Sequence, residues 1–217
     1  MTPNKKLRDG CTKLSLSLSE EQFVKLETYI EEILAFNKTY NLMKADSADE
    51  LAVNHILDSL AAHAHIKQLI ESKPEDAVVA DIGSGGGCPG IPLAIAFPNT
   101  KFVLVERMEK RCAFLERMVK KLSLTNTKVQ CTAAIDVATE SFDVEVFRAF
   151  HPFDKKIVQL LFKLLKPNGT IAAYKARSEK ISEEMQAVSH LIPSYKKIPL
   201  TVPFLEDHER NLVVIHK

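Results

Sequence analysis

Tryptophan is absent, and tyrosine occurs four times in 217 residues. An aromatic platform for stacking single-stranded bases therefore has little support. Strong charge of one sign is also missing. The formal net charge is +1, so global electrostatics gives no argument for nucleic-acid binding, and local clusters have to carry that case. Cysteine is sparse. Cys11, Cys88, Cys112 and Cys131 are scattered, with no C-x-x-C pair. That spacing speaks against a zinc site or a disulfide scaffold, and reduced cytosolic thiols are expected. No apolar run approaches the ~18 residues of a membrane helix. The segment with Asn4, Lys5, Lys6, Arg8 and Asp9 is too polar for a signal peptide. A cytoplasmic chain with no membrane and no metal is the expectation. Internal repeats and low-complexity tracts are missing too.

What remains is an ordinary globular composition, 46% hydrophobic, long enough for one medium α/β domain and a small extension. Ser19-Glu-Glu-Gln22 reads as a capping box. Phe23, Leu26, Ile30, Ile33 and Leu34 follow at helical spacing. Ser47-Ala-Asp-Glu50 repeats the signature, and Val53, Ile56, Leu57, Leu60, Ala61 and Ala64 mark a second amphipathic helix. Residues 1–72 thus read as a helical extension, closed by a polar hinge at 71–76, with a second domain over 73–217. There strands are expected at 77–81, 101–105, 128–131, 144–148, 170–174 and 211–216. Helices are expected at 91–97, 109–122, 154–165 and 178–191, with a turn at Lys166-Pro-Asn-Gly169. This alternation implies a doubly wound, mostly parallel sheet covered on both faces.

The densest signal is Asp81-Ile-Gly-Ser-Gly-Gly-Gly-Cys-Pro-Gly90, between the first strand and the first helix of the sheet domain. Ligands of open parallel sheets bind beyond such strand ends. Asp81, Gly83, Gly85 and Gly87 alternate. The dinucleotide fingerprint G-x-G-x-x-G would need glycine where Cys88 stands, and a phosphate-binding P-loop would need Gly-Lys-Ser/Thr. A nicotinamide-dependent oxidoreductase is therefore a distant reading. Glu106 ends the second strand, where a carboxylate can accept hydrogen bonds from ribose hydroxyls.

The D-x-G-x-G-x-G spacing resembles the first motif of class I (Rossmann-like) S-adenosylmethionine-dependent methyltransferases. The longer G-x-G-x-G-x-P-G-I-P, ending at Pro92, resembles the GidB family of bacterial small-subunit ribosomal RNA guanine-N7 methyltransferases. Asn41-Leu42, Asn54-His-Ile-Leu-Asp-Ser59, Lys110-Arg111, Phe114-Leu115, Leu122-Ser-Leu-Thr-Asn126, Arg148-Ala-Phe150 and Tyr174-Lys175 agree with that family over about residues 20–217. The resemblance implies S-adenosyl-L-methionine as cofactor, held at Gly83, Gly85, Gly87, Cys88, Glu106, Ala133, Ala134 and Arg148. It implies methylation of a guanine in 16S ribosomal RNA, free or in the small subunit. The sequence does not give the oligomeric state, and a monomer is the favoured expectation. Two departures stand out. The family usually has Arg-Ala-Glu after strand three, where this chain has Thr132-Ala133-Ala134, and Lys-Gly after strand five, where it has Lys175-Ala176. The first implies an adenine held by backbone groups and packing, or by Asp136.

Guanine N7 carries an available lone pair and needs no deprotonation, so alignment and water exclusion are the main tasks. No Ser/His/Asp-type constellation is expected. Arg148 is the candidate positioning residue; its alternative is a structural ion pair with Asp81 or Glu106. Asn54, His55, Asp58 and His151 either pack structurally or face the site. For RNA phosphates, Lys101, Arg107, Lys110, Arg111, Arg117, Lys120, Lys121 and Lys128 form one basic cluster. Lys155, Lys156, Lys163, Lys166, Lys175, Arg177 and Lys180 form a second. The competing readings are another methyl acceptor, or a catalytically weak RNA-binding or ribosome-assembly protein on the same fold.

Overall fold

The computed structural model describes residues 4–217. The chain opens with α1 (Lys5–Lys13) and α2 (Glu20–Asn37). Short pieces follow: α3 (Ala48–Leu51), a wide π-helical stretch (Ala52–Leu57), α4 (Asp58–Leu60) and α5 (His63–Glu71). The sheet domain runs β1 (Val78–Ile82), α6 (Gly90–Ala96), β2 (Lys101–Glu106), α7 (Glu109–Lys121) and β3 (Thr127–Cys131). It continues β4 (Phe142–Arg148), α8 (Lys155–Leu164), β5 (Leu165–Lys175), α9 (Ser178–Val188), β6 (Tyr195–Leu200) and β7 (Arg210–His216). The sheet order is β3-β2-β1-β4-β5-β7-β6. Strands β1 to β5 are parallel, while β7 and β6 close one edge antiparallel. The order reverses between β1 and β4, which fixes where a ligand crevice opens.

The capping box at Ser19 forms as expected. Ser19 Oγ accepts from Gln22 N at 3.2 Å and Gln22 Oε1 accepts from Ser19 N at 2.8 Å. The helical extension shares its core with the sheet domain. Leu26, Tyr29, Ile30 and Ile33 pack in one cluster with Leu57, Ile91, Leu104 and Phe114. On the opposite face of the sheet, α8 and α9 cover Ile82, Phe147, Ile171 and Val213.

Three expectations need correction. The single helix expected after Ser47 is broken into pieces, because the chain widens into π geometry over Ala52–Leu57 and turns before His63. Lys166–Gly169 does not end an element. It bulges within β5, so that Phe142 pairs with Leu165 while Val144 pairs with Thr170. The thiols of Cys112 and Cys131 are not free but form a disulfide, with Cα atoms 5.7 Å apart. No sequence motif marks that pair. Cys131 lies in register with Glu106 at the end of β2, and α7 starts three residues later, so the sheet brings the sulfurs together. Cys11 and Cys88 are buried free thiols.

Glu145 sits in the middle of β4 with no exposure, and neither carboxylate oxygen has a hydrogen-bond partner among the described residues. Burial pushes its pKa well above the usual carboxylate range, opposed only by the charge of Lys217. An unpaired buried polar group costs ~1–3 kcal/mol. Glu145→Leu is expected to raise the melting temperature. Because the folded-state pKa is raised, the penalty is smallest below the unfolded pKa and grows as pH rises from there toward the folded value. The advantage of the leucine variant should therefore be larger at about pH 8 than at about pH 5 in parallel thermal melts.

Candidate active site

The glycine loop is fastened at both ends. Asp81 Oδ2 accepts from Ser84 Oγ at 2.8 Å and from Gly90 N at 2.9 Å, tying β1 to the first turn of α6. Burial pushes the Asp81 carboxyl up to about 6, although those two hydrogen bonds pull it back. Gly83 and Ser84 both donate from backbone N to Val105 O. Gly83 has φ +71°, and a Cβ there would lie 2.4 Å from the Phe150 ring. Gly87 has φ +106°, and a Cβ there would strike Ile91 and the Tyr29 hydroxyl. That hydroxyl donates to Gly86 O at 2.6 Å, so α2 buttresses the loop directly.

Glu106 is 4% exposed and supports three backbone N–H groups. Its Oε2 accepts from Gly85 at 2.9 Å, and its Oε1 accepts from Arg107 and Met108, each at 2.9 Å. The carboxylate thus joins the glycine loop to the end of β2. Beside it lies a cavity of about 470 Å³, lined by Gly83, Glu106, Met108, Ala133, Ala134 and Ile135 among others. Met108 and Ile135 are 51% and 58% exposed, large apolar side chains left at the rim.

A second cavity, of about 550 Å³, adjoins the first. Asn54, His55, Asp58, Arg148, Lys175 and Glu184 are part of its lining. Ala149, Phe150 and His151 line both cavities and form the wall they share. Arg148 ends β4 and pairs with neither Asp81 nor Glu106. Its Nη1 donates to Asp58 Oδ2 at 2.6 Å and Asn54 O at 2.8 Å, and its Nη2 bonds His55 Nδ1 at 2.8 Å. Arg210 Nε holds the other Asp58 oxygen at 2.9 Å. His55 Nε2 bonds Lys44 O at 3.1 Å. A carbonyl accepts only, so the ring proton is on Nε2, and Nδ1 accepts from the guanidinium. Burial, then the Arg148 charge, lowers the His55 pKa.

A family model described as rRNA small subunit methyltransferase G matches residues 22–213. The protein of that name from Treponema denticola is 39% identical, covering 88% of this chain and 85% of its own. The chain belongs to this family. The Polynucleobacter asymbioticus member is 34% identical, over 94% of this chain and 92% of its own. Two solved Aquifex aeolicus structures share the fold. A SAM-dependent methyltransferase superposes with TM-score 0.58 at 15% identity, covering 87% of this chain and 97% of its own. A tRNA methyltransferase gives 0.60 at 14%, covering 88% and 75%. The fold is the class I methyltransferase fold that the glycine spacing implied.

In a methyltransferase of this family, the first cavity has the chemistry to hold S-adenosylmethionine. Glu106 still has acceptor capacity for ribose hydroxyls, and Met108 and Ile135 offer apolar surface for an adenine. Asp136 does not line that cavity, which favours packing as the substitute for the missing family carboxylate. Of the expected cofactor residues, Gly83, Glu106, Ala133 and Ala134 line it. Gly85 contributes its N–H to Glu106, Gly87 shapes the turn, and Arg148 belongs to the second cavity. Cys88 lies beneath the loop, 3.6 Å from the Tyr29 hydroxyl, where burial raises its thiol pKa. Tyr29, Met108, Ile135 and Arg210 escaped the sequence reading. Met108, two residues after Glu106, was the most accessible signal. The basic clusters are partly neutralised. Arg117 and Lys121 pair with Glu32, Lys166 with Asp143 and Lys175 with Glu184, while Lys110 lies over the Tyr40 ring. No helix among the described residues is long and apolar enough to cross a membrane.

Proposed function

We propose that this protein transfers a methyl group from S-adenosylmethionine to N7 of a guanine in 16S ribosomal RNA. The observation that carries the reading is the pair of adjoining cavities with the common wall Ala149–His151. The cofactor supplies an electrophilic methyl on a sulfonium. The protein's own residues bind and align. Glu106, Met108 and Ile135 hold the nucleoside end, and Gly83, lacking a Cβ, lets the Phe150 ring of the wall pack against the loop. Arg148 fixes the floor of the acceptor cavity through Asp58, Asn54 and His55. Both ring nitrogens of His55 and both oxygens of Asp58 are engaged structurally, and N7 needs no proton removed before attack. The named function of the relatives, small-subunit ribosomal RNA methylation, supplies the acceptor class.

The test is nucleoside mass spectrometry of 16S ribosomal RNA from cells lacking the protein. One 7-methylguanosine is expected to disappear, and purified protein is expected to restore it on small subunits from those cells. Unchanged 7-methylguanosine would sink the reading.

A further inference from the structure

An N7 nucleophile does not identify guanine, because adenine carries the same ring nitrogen. The two bases differ at position 6, beside N7, and at the N1 and 2-amino edge on the far side of the ring. With N7 at the wall shared by the two cavities, the N1–H and 2-amino edge lies at the far end of the purine, away from the cofactor cavity. Glu184, from α9, lines the acceptor cavity and not the cofactor cavity.

Its carboxylate is held by one oxygen only. Oε2 accepts from Phe153 N at 2.8 Å and from Lys175 Nζ at 2.7 Å. Oε1 makes no hydrogen bond among the described residues. The Lys175 and Glu184 side chains are 14% and 19% exposed, so the pair is largely withdrawn from water. Anchoring one oxygen sets the plane of the carboxylate and leaves the other as an oriented acceptor. Asp58 is held differently, with Arg148 and Arg210 on one oxygen each, so both of its oxygens already face a guanidinium.

We propose that Glu184 selects guanine, its free oxygen accepting from the N1–H and 2-amino edge of the target base. The proposal rests on the guanine-N7 reading of the acceptor cavity. An ionised carboxylate accepts and does not donate. Guanine offers donors to it; adenine offers a bare N1 lone pair and no 2-amino group. A buried acceptor facing a lone pair loses its hydrogen bond and gains repulsion, which is how a polar pocket rejects a near-isostere.

The test compares Glu184→Gln and Glu184→Asp with the wild-type protein on small subunits reconstituted with guanosine or inosine at the methylated position. Inosine lacks the 2-amino group. Wild type is expected to prefer guanosine by about 10- to 100-fold in kcat/KM, the size of one hydrogen bond to a charged acceptor. Glu184→Gln should bring the ratio close to one, while Glu184→Asp, which keeps a carboxylate, should retain a preference at lower rate. Cofactor affinity by calorimetry should stay within about twofold in all three, because the cofactor cavity does not include this residue. A guanosine preference undiminished in Glu184→Gln overturns the proposal, whatever the change in rate. Failure of the parent reading has a different signature: the wild-type protein then leaves N7 unmethylated on both substrates, and the proposal falls with it.

Discussion

Glu106→Ala is expected to weaken S-adenosylmethionine binding by about 100-fold or more, since each hydrogen bond to a charged group is worth ~1.5–3 kcal/mol. Two effects combine. The variant loses the acceptor proposed for the ribose hydroxyls. It also strips Gly85 of its Oε2 acceptor and Arg107 and Met108 of the Oε1 they share, at a position that is 4% exposed. The loop loses its tie to β2, so the cavity loses shape together with an acceptor. Glu106→Gln separates these contributions. A glutamine keeps one carbonyl oxygen for the backbone N–H groups but carries no charge. Its melting temperature should fall less than that of the alanine variant, while its cofactor affinity drops about 10-fold. Calorimetry with S-adenosylmethionine, beside thermal melts, reads both quantities. Wild-type affinity in Glu106→Ala would remove the ribose role.

The glycine loop and Glu106 were legible because local chemistry dictates them. Positive φ at Gly83 and Gly87 admits few other residues, and a strand-end carboxylate leaves a mark at fixed spacing. The parallel sheet was legible from alternation of strands and helices. The antiparallel edge strand β6 was missed because Tyr195–Leu200 is polar and carries Pro199, which an edge tolerates and a central strand does not. Helix α1 was missed because only Leu7, Gly10 and Cys11 are buried, too short a stripe to stand out in a polar segment. Long-range partners were the hardest to read. Asp58 and Arg148 are 90 residues apart, and Asp58 and Arg210 are 152 apart. Sequence reasoning offered Asp81 and Glu106 as Arg148 partners since both stand at neighbouring strand ends. In the fold those carboxylates are engaged by backbone N–H groups and a hydroxyl, and the π-helical stretch delivers Asp58 to the guanidinium instead. The Cys112–Cys131 disulfide belongs to the same class, set by strand register and by where α7 begins.

Arg148→Lys is expected to lower kcat by about 100-fold or more while leaving cofactor affinity within about twofold, because the acceptor cavity is what it misshapes. The guanidinium forks to three partners in two elements: Asp58, Asn54 and His55. An ammonium is a single point charge and cannot meet three divergent acceptors. Asp58, 4% exposed, then keeps only Arg210. Removing a partner from a buried ion pair costs ~3–5 kcal/mol, and the surviving partner reduces that here. Arg148→Met adds a readout that loss of packing alone does not produce. In the wild-type protein burial and the Arg148 charge hold the His55 pKa below its usual value. The unfolded chain therefore takes up the His55 proton first, and folded stability falls as pH drops through the ordinary imidazole range, near about 6.5. With methionine the nearby positive charge is gone while Asp58 remains. The His55 pKa should rise by NMR titration, and the stability lost between about pH 7 and pH 5 should shrink. An unshifted His55 titration would break the link between Arg148 and the imidazole. A parallel loss of cofactor affinity would move Arg148 back into the cofactor cavity, where the glycine-loop resemblance had first placed it.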